Sequence, residues 1–404
     1  MIEVPSTFSQ RMHNQRLLIL GLLALGLYDG TYVVQWWLGA AQPQFGDFFG
    51  FWSFGRFAAT FGSAIYDPFS LAAYQRTLDS ALTGGYPYPY PPTFLLILIP
   101  LGMMTLPLAY FCWIASTFSL YVFATLGRNW RSISGLALLT APTTLLTVIS
   151  GQNGLLSAAL LVGGLRCLTR WPVYAGILLG LLTYKPQFLL LLPIVLIASR
   201  NIRAMLAVCA TVLFAVVVSS AALDWSIWQI WISGFPTYQH LLQANQASLD
   251  HLMPTMVAGA RAIGAPASVG YTAQLLCSGA VGVMTWRACK RGISEQTIAM
   301  AAIGTIVVAP YAMIYDMPMI AAAVAIDWKA RTGAGVPIKS LEVMLVVALF
   351  ACILLMVSSS LPFAASVLVF VLFLVLAGSR KAALNDGADE VGLPINANFF
   401  NSHG

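Results

Sequence analysis

Apolar runs, most of them near bilayer-spanning length and closed by Arg or Lys, follow one another along almost the whole chain. A helix needs about 20 apolar residues to cross the hydrocarbon core. Within that core every backbone N–H and C=O must find its partner inside the protein. The pattern therefore admits one architecture, an all-α polytopic membrane protein. Composition agrees, since 59% of the 404 residues are apolar and only 8% are charged, against about 25% charged in soluble domains. Soluble enzymes, disordered chains and secreted disulfide scaffolds are excluded. Six cysteines (Cys112, Cys167, Cys209, Cys277, Cys289, Cys352) stand singly in or beside apolar runs without CxxC spacing, which suggests neither a metal cage nor a disulfide framework.

The runs read as about twelve crossings, over approximately 17–38, 106–126, 132–150, 153–168, 172–184, 186–199, 204–222, 268–286, 296–314, 317–328, 341–357 and 363–379. No small-residue cleavage site follows the first, so it is read as a retained anchor. Basic residues mark cytoplasmic ends. On this topology all of the 20 basic residues except Arg56, Arg76, Lys185 and Arg261 fall inside, as do both termini. The net charge of +6 is then an orientation signal, not a nucleic-acid footprint. Residues 1–404 form one transmembrane domain, 39–105 and 223–267 are external loops, and the polar tail 382–404 is expected to be disordered. The runs at 172–184 and 317–328 are too short to span unaided, which predicts broken helices around a cavity.

The first external loop holds most of the unusual chemistry. Phe48, Phe51, Trp52 and Phe54 to Phe57 give one aromatic face, expected to lie in the outer interface as an amphipathic helix does. A second helix is predicted from Pro68 to about Leu82, with Asp67 as N-cap and Pro68 at its first position. Pro92 to Met104 is too short to span and is expected to be interfacial or re-entrant. Asp47 stands where an N-cap would stand and equally where a carboxylate could act as a general base at the membrane surface. The stretch Tyr86-Pro-Tyr88-Pro-Tyr90-Pro-Pro is stiff and extended, either a spacer or a frame for three phenols.

Together, Asp47-Phe48 with Trp52 and Arg56, Gly62 through Tyr66-Asp67-Pro68, Tyr90-Pro91-Pro92, Gly151-Gln152-Asn153-Gly154 and Lys185-Pro186 resemble glycosyltransferase family 87 over about residues 40–330. The resemblance implies the wider C-type glycosyltransferase (GT-C) layout, with interfacial helices in the first external loop. It also implies inverting transfer of a hexose, mannose by analogy, from a polyprenyl phosphate to an acceptor hydroxyl on a glycolipid or glycan. The reaction would take place on the periplasmic face of a bacterial inner membrane. The family's acidic base falls on Asp47, and Tyr315-Asp316 resembles its Tyr-Asp pair near a late crossing. Where many relatives have His, this chain has Pro310-Tyr311.

Such a reaction needs a base, a cationic partner for the departing phosphate and a dry slot for lipid. Lys185 interrupts an apolar stretch at a cost of at least about 2.5–3.5 kcal/mol on insertion scales, which a phosphate would offset, unless the side chain snorkels to the interface. Arg56 and Arg261 are further phosphate candidates, or structural partners of Asp67 or Asp224. Trp52, Tyr66, Tyr88, Tyr90, Gln152, Asn153, His251 and Asp316 are the candidates for sugar or acceptor contact. Gln152 and Asn153 could equally form a plain turn, and Asp316 could pair with Lys185 or Arg261. His240, Asp250 and His251 lack ligand-like spacing, so no metal and no other cofactor is expected. No Gly-rich nucleotide loop occurs, in keeping with a lipid-linked donor. Asp29 has no assigned role. A transporter or lipid flippase, and a polysaccharide polymerase, share this composition and are the alternatives.

Overall fold

The computed structural model describes residues 45–127, 132–336, 338–356 and 361–385, with scattered positions between 16 and 34. Most of the anchor at 17–38, Asp29, and the tail from 386 onward lie outside the described residues. Every regular element among those described is helical.

Three helices, Leu106–Leu126, Ile202–Leu223 and Ala267–Lys290, are long and apolar enough to cross a membrane, and most of each apolar window faces outward from the protein. Their outward surfaces take lipid where a soluble protein would take water. The other apolar helices are shorter, including Gly154–Cys167, Glu295–Val308, Ser340–Met356 and Pro362–Gly378. The dozen crossings expected from the sequence thus do not appear as a dozen full-length helices among the described residues. Several runs are split, and the splits hold several of the candidate residues.

Two of the splits were visible as short runs. Residues 172–199 form a helix Pro172–Leu181, 3₁₀ turns at Leu182–Tyr184 and Pro186–Leu189, and a helix Leu192–Ala198. Asn201 Nδ2 donates to Leu168 O at 2.6 Å, so the chain returns to the level it left and the segment is a hairpin with Lys185 at its tip. Between Glu295–Val308 and Pro318–Gly333 the chain is unwound except for one 3₁₀ turn, Ile314–Asp316. Pro310 and Pro318 bracket this break, and a proline cannot donate to a continuing helix. A third interruption falls at Gly151 to Asn153, between Pro142–Ser150 and Gly154–Cys167.

The end opposite these breaks is tied by buried charges. Arg166 pairs with Glu295 and donates to the carbonyls of Ala124 and Thr125, and Arg331 pairs with Asp327 and Glu342. Arg166, assigned by the sequence to an inner rim, is therefore buried inside that end.

The first external loop departs from expectation in one respect. The helix Phe48–Phe61 does not lay its aromatic face on the membrane surface. Phe48, Phe51, Phe54 and Phe57 are buried against Phe94, Tyr88, Trp113 and Tyr74. One partner covering this face is the segment of 3₁₀ Pro92–Phe94 and helix Leu95–Gly102, an eleven-residue element too short to span, as expected. The two helices meet backbone to backbone, and a Cβ on Gly55 would sit 1.9 Å from Leu98 O. Gly55→Ala is therefore expected to force the pair apart, cost on the order of 1–3 kcal/mol of stability through overpacking, and so lower the midpoint of thermal unfolding. Unchanged melting of the purified variant would contradict this packing. The second helix, Pro68–Leu78, begins as the sequence predicts, with the Asp67 carboxylate accepting from Phe69 N and Ser70 N.

Candidate active site

The three breaks and the first external loop converge on one group of polar side chains. Gly46 and Gly151 both have positive φ, at 51° and 67°, a region closed to most L-residues. Their close approach seats the Asp47 turn on the Gln152 turn, because a Cβ on Gly46 would lie 2.9 Å from Ser150 Cα and one on Gly151 would lie 2.4 Å from Phe48 Cβ. Trp113 Nε1 donates to Gly151 O at 3.0 Å and Tyr110 Oη to Val148 O at 2.6 Å, fixing the turn from the other side.

Asp47 precedes the aromatic helix with helical backbone angles and makes no side-chain cap. Its carboxylate turns away from the helix and accepts a hydrogen bond from Gln152 Nε2 at 2.8 Å. The N-cap reading of Asp47 is thereby corrected: the backbone enters the helix one residue early, which leaves the side chain free to face another loop. Burial raises the Asp47 carboxyl above its ordinary value, and the Gln152 hydrogen bond offsets part of that rise. Asp47 also lies near enough to Tyr86 for its charge to raise that phenol, after burial, and it acts on the buried Tyr315 as well.

Gln152 and Asn153 are not an exposed turn at a hairpin tip. They are 6% and 0% exposed. Asn153 Nδ2 donates to Tyr90 Oη at 3.1 Å, while Asn153 Oδ1 and Gln152 Oε1 are buried without a hydrogen-bond partner. Buried polar atoms without partners cost about 1–3 kcal/mol each. Both oxygens of this turn therefore have room in their hydrogen bonding for an added donor, a water or a hydroxyl.

Beneath this pair lies the tip of the 172–199 hairpin. Lys185 and Asp316 form a buried salt bridge, with side chains 4% and 2% exposed. Of the alternatives for Lys185, snorkelling to the interface is not what the structure adopts. Asp316 also accepts from Met313 N at 3.0 Å, closing its own turn, and the Lys185 ammonium sits 5.2 Å from the Tyr315 ring centre and 5.3 Å from that of Phe188. Tyr315 O accepts from Thr147 Oγ1 at 3.0 Å, and Tyr121 Oη donates to Pro318 O at 2.8 Å. These two bonds pin the unwound strand to its neighbours. Tyr184, next to Lys185, stacks on Phe94 at 4.7 Å and shares a 2.6 Å hydrogen bond with Ser157.

Asp47, Tyr90, Gln152, Asn153, Lys185 and Asp316 are thus brought together. The remaining candidates stand outside this group, although Tyr66 and Tyr88 adjoin Tyr90. Trp52 Nε1 donates to Met104 O at 3.0 Å. Exposed Arg56 lies over the Trp52 ring at 5.3 Å, with Nη1 3.4 Å from Gly102 O. Tyr66 Oη donates to Tyr90 O at 3.0 Å and Tyr88 Oη to Pro91 O at 3.1 Å, so both brace the Tyr-Pro stretch that carries Tyr90. Arg261 holds Asp250 through two hydrogen bonds at 2.8 and 2.7 Å, not Asp67 or Asp224, which accept from Ser70 and Ser226 near their own helix starts. His251 is exposed next to that pair. Among the described residues no group of three or more His, Cys, Asp or Glu is arranged to hold a metal ion.

Tyr184, Ser157, Thr147 and Tyr311 belong to the neighbourhood although the sequence did not single them out as site residues. The available signal was spacing: Tyr184 precedes Lys185, and Ser157 lies one helical turn beyond Asn153.

The profile of glycosyltransferase family 87 matches residues 88–314. That is more than half of the chain, and the chain belongs to this family. It is a membrane-embedded glycosyltransferase, which sets aside the transporter and flippase readings. The match spans Tyr90, Gln152, Asn153 and Lys185, while Asp47, Tyr315 and Asp316 flank it and enter through geometry. No curated protein and no solved structure matches the chain.

Proposed function

We propose that the chain is an inverting hexosyltransferase that uses a polyprenyl-phosphate-linked sugar and transfers it to a hydroxyl of a glycolipid or glycan. The observation that carries this reading is a buried carboxylate, Asp47, held by Gln152 at the same end of a lipid-facing bundle as the buried Lys185–Asp316 pair. That end would face the periplasm of a bacterial inner membrane, with both chain termini cytoplasmic.

In the proposed reaction the acceptor oxygen forms a bond to the anomeric carbon while the bond from that carbon to the phosphate oxygen breaks. Asp47 takes the hydroxyl proton, a role typically worth about 10²–10⁴ in rate. The Gln152 amide holds one carboxylate oxygen and leaves the other for the proton. Polyprenyl phosphate leaves with its electron pair, and Lys185 faces the added charge from a site shielded from water, where an ionic contact is worth more than at the surface. The orphan oxygens of Gln152 and Asn153 accept hydrogen bonds from sugar hydroxyls. Tyr90, held by Asn153, supplies a wall.

The lipid portion of the donor needs an apolar surface continuous with the membrane. Such a groove lies between Leu106–Leu126, Gly154–Cys167 and Pro172–Leu181, and it runs as far as Leu156 and Leu181, just short of the Lys185 turn. Mannose is the sugar that the family resemblance favours.

The test is the rate of polyprenyl phosphate release from a polyprenyl-phosphate hexose as a function of pH, with the protein reconstituted in vesicles. A base must be ionised to act, and burial raises the Asp47 carboxyl. The rate is therefore expected to fall on the acid side, with its limb above the range of an exposed carboxylate. A flat acid side, or a protein that consumes only nucleotide sugars, would count against the reading.

A further inference from the structure

Arg261 and Asp250 take no part in the transfer chemistry, yet a chain of hydrogen bonds joins them to the Lys185–Asp316 pair. The Arg261 guanidinium grips the buried Asp250 carboxylate with two N–H groups, at 2.8 and 2.7 Å, and Gln246 Nε2 adds a third bond at 2.7 Å. Asp250 ends the short helix Gln246–Asp250, and Arg261 lies in the last turn of Met256–Ala262, so the grip closes the turn between them. Inside that turn the Asp250 carbonyl accepts from Met253 N at 3.2 Å, and the carbonyl of Leu252, between the two, accepts from Ile314 N at 2.9 Å. Ile314 opens the 3₁₀ turn that carries Asp316, whose carboxylate accepts from Met313 N and meets Lys185. Among the described residues, the Ile314–Leu252 bond is the one hydrogen bond that ties residues 309–314 to a distant element. Packing follows the same route. Met253, Ala258 and Met313 form a small buried apolar cluster separate from the main core, with Tyr311 and Tyr315 against it.

We infer that Arg261 and Asp250 are positioning residues for Asp316 and, through it, for Lys185; the inference rests on the transferase reading above. Unwound backbone has no helical ladder to set its angles, so it takes its shape from the partners its N–H and C=O groups find. Here that partner is the turn from Asp250 to Met253, and the turn is only as well placed as the side chains that close it. A guanidinium fork on a carboxylate fixes orientation as well as distance, which a lysine ammonium, a point charge, does not. With its fork engaged by Asp250, Arg261 acts by holding a loop and not by contact with the donor phosphate. Slack in this loop reaches Ile314, then the Asp316 turn, and then the ammonium that faces the departing phosphate. A misplacement of about 1 Å, even from a change far from the chemistry, can cost about 10²-fold in rate.

The test compares Arg261→Gln, Arg261→Lys, Asp250→Asn and the double variant Arg261→Gln/Asp250→Asn, each as the full chain in nanodiscs. Amide hydrogen exchange read by mass spectrometry reports the coupling without any substrate. Peptides covering 311–317 are expected to exchange at least about tenfold faster in Arg261→Gln and in Asp250→Asn, while those covering Leu106–Leu126 keep their rate. With a polyprenyl-phosphate hexose as donor, kcat is expected to fall by about 10- to 10²-fold in both, with the donor KM unchanged. Arg261→Lys should fall with them, because it keeps the charge and loses the fork. The double variant should be no slower than the slower single, since both changes remove one contact. Unchanged exchange over 311–317, faster exchange throughout the chain, or losses that multiply in the double variant overturns the proposal. A donor KM raised in Arg261→Gln but not in Asp250→Asn also overturns it and makes Arg261 a phosphate contact. Failure of the transferase reading looks different: exchange over 311–317 responds as described, yet the unaltered protein turns over no polyprenyl-phosphate hexose.

Discussion

Asp47→Asn should leave a folded protein whose transfer rate is lower by about 10²–10⁴. Asparagine has nearly the same size as aspartate, and the Gln152 amide can rotate to donate to its carbonyl oxygen, so the turn that carries it is kept. What is lost is the ability to accept a proton. Because the Asp47 side chain makes no cap for its helix, stability has little reason to change. Donor binding should also persist, since Asn retains the shape of the site. The expected pattern is a kcat effect with an intact melting curve, measured on matched vesicle preparations. Gln152→Leu should act in the same direction but less severely, by freeing the carboxylate to wander.

The second large effect concerns the Lys185–Asp316 pair. Removing one partner of a buried ion pair typically costs about 3–5 kcal/mol, because the survivor is stranded, whereas replacing both by apolar residues of similar size is often neutral. Lys185→Met and Asp316→Leu are each expected to melt well below the parent. The double variant Lys185→Met/Asp316→Leu should recover much of that loss and still transfer no sugar. Recovery of stability without recovery of activity separates the pair's structural role from its proposed role beside the donor phosphate. If the double variant regained transfer, Lys185 would be a packing residue only.

The helices were largely legible from the sequence, because apolar runs and their basic ends follow directly from what a bilayer tolerates. The breaks at Lys185-Pro186 and before Pro318 were legible for the same reason, as runs too short to cross. Asp67 was recognisable as a cap from its place before Pro68. Contacts between loops were not legible. Asp47 and Gln152 are 105 residues apart and Lys185 and Asp316 are 131 apart, and periodicity within a run says which face is apolar but not which loop it will meet. The aromatic run at 48–57 was misplaced on the membrane surface for a related reason. An aromatic helix face looks the same whether lipid or protein covers it, and here the cover is protein, including Pro92–Gly102, Tyr74, Tyr88 and Trp113. Trp52, Tyr66 and Tyr88 carry the residue types of sugar-binding sites, yet each donates its one N–H or O–H to a backbone carbonyl of the first external loop, at Met104, Tyr90 and Pro91. Arg261 was unpredictable in detail because its partner, Asp250, lies in the same external loop and was set beside histidines that suggested a different chemistry.

The measurement that tests the account most directly is a single turnover with a polyprenyl-phosphate hexose labelled in the sugar, comparing the unaltered protein and Asp47→Asn in vesicles at matched protein density. The account predicts one polyprenyl phosphate released per glycoside formed, with anomeric configuration opposite to that of the donor, and almost no product from the variant. Product of retained configuration, or equal product from Asp47→Asn, would contradict it.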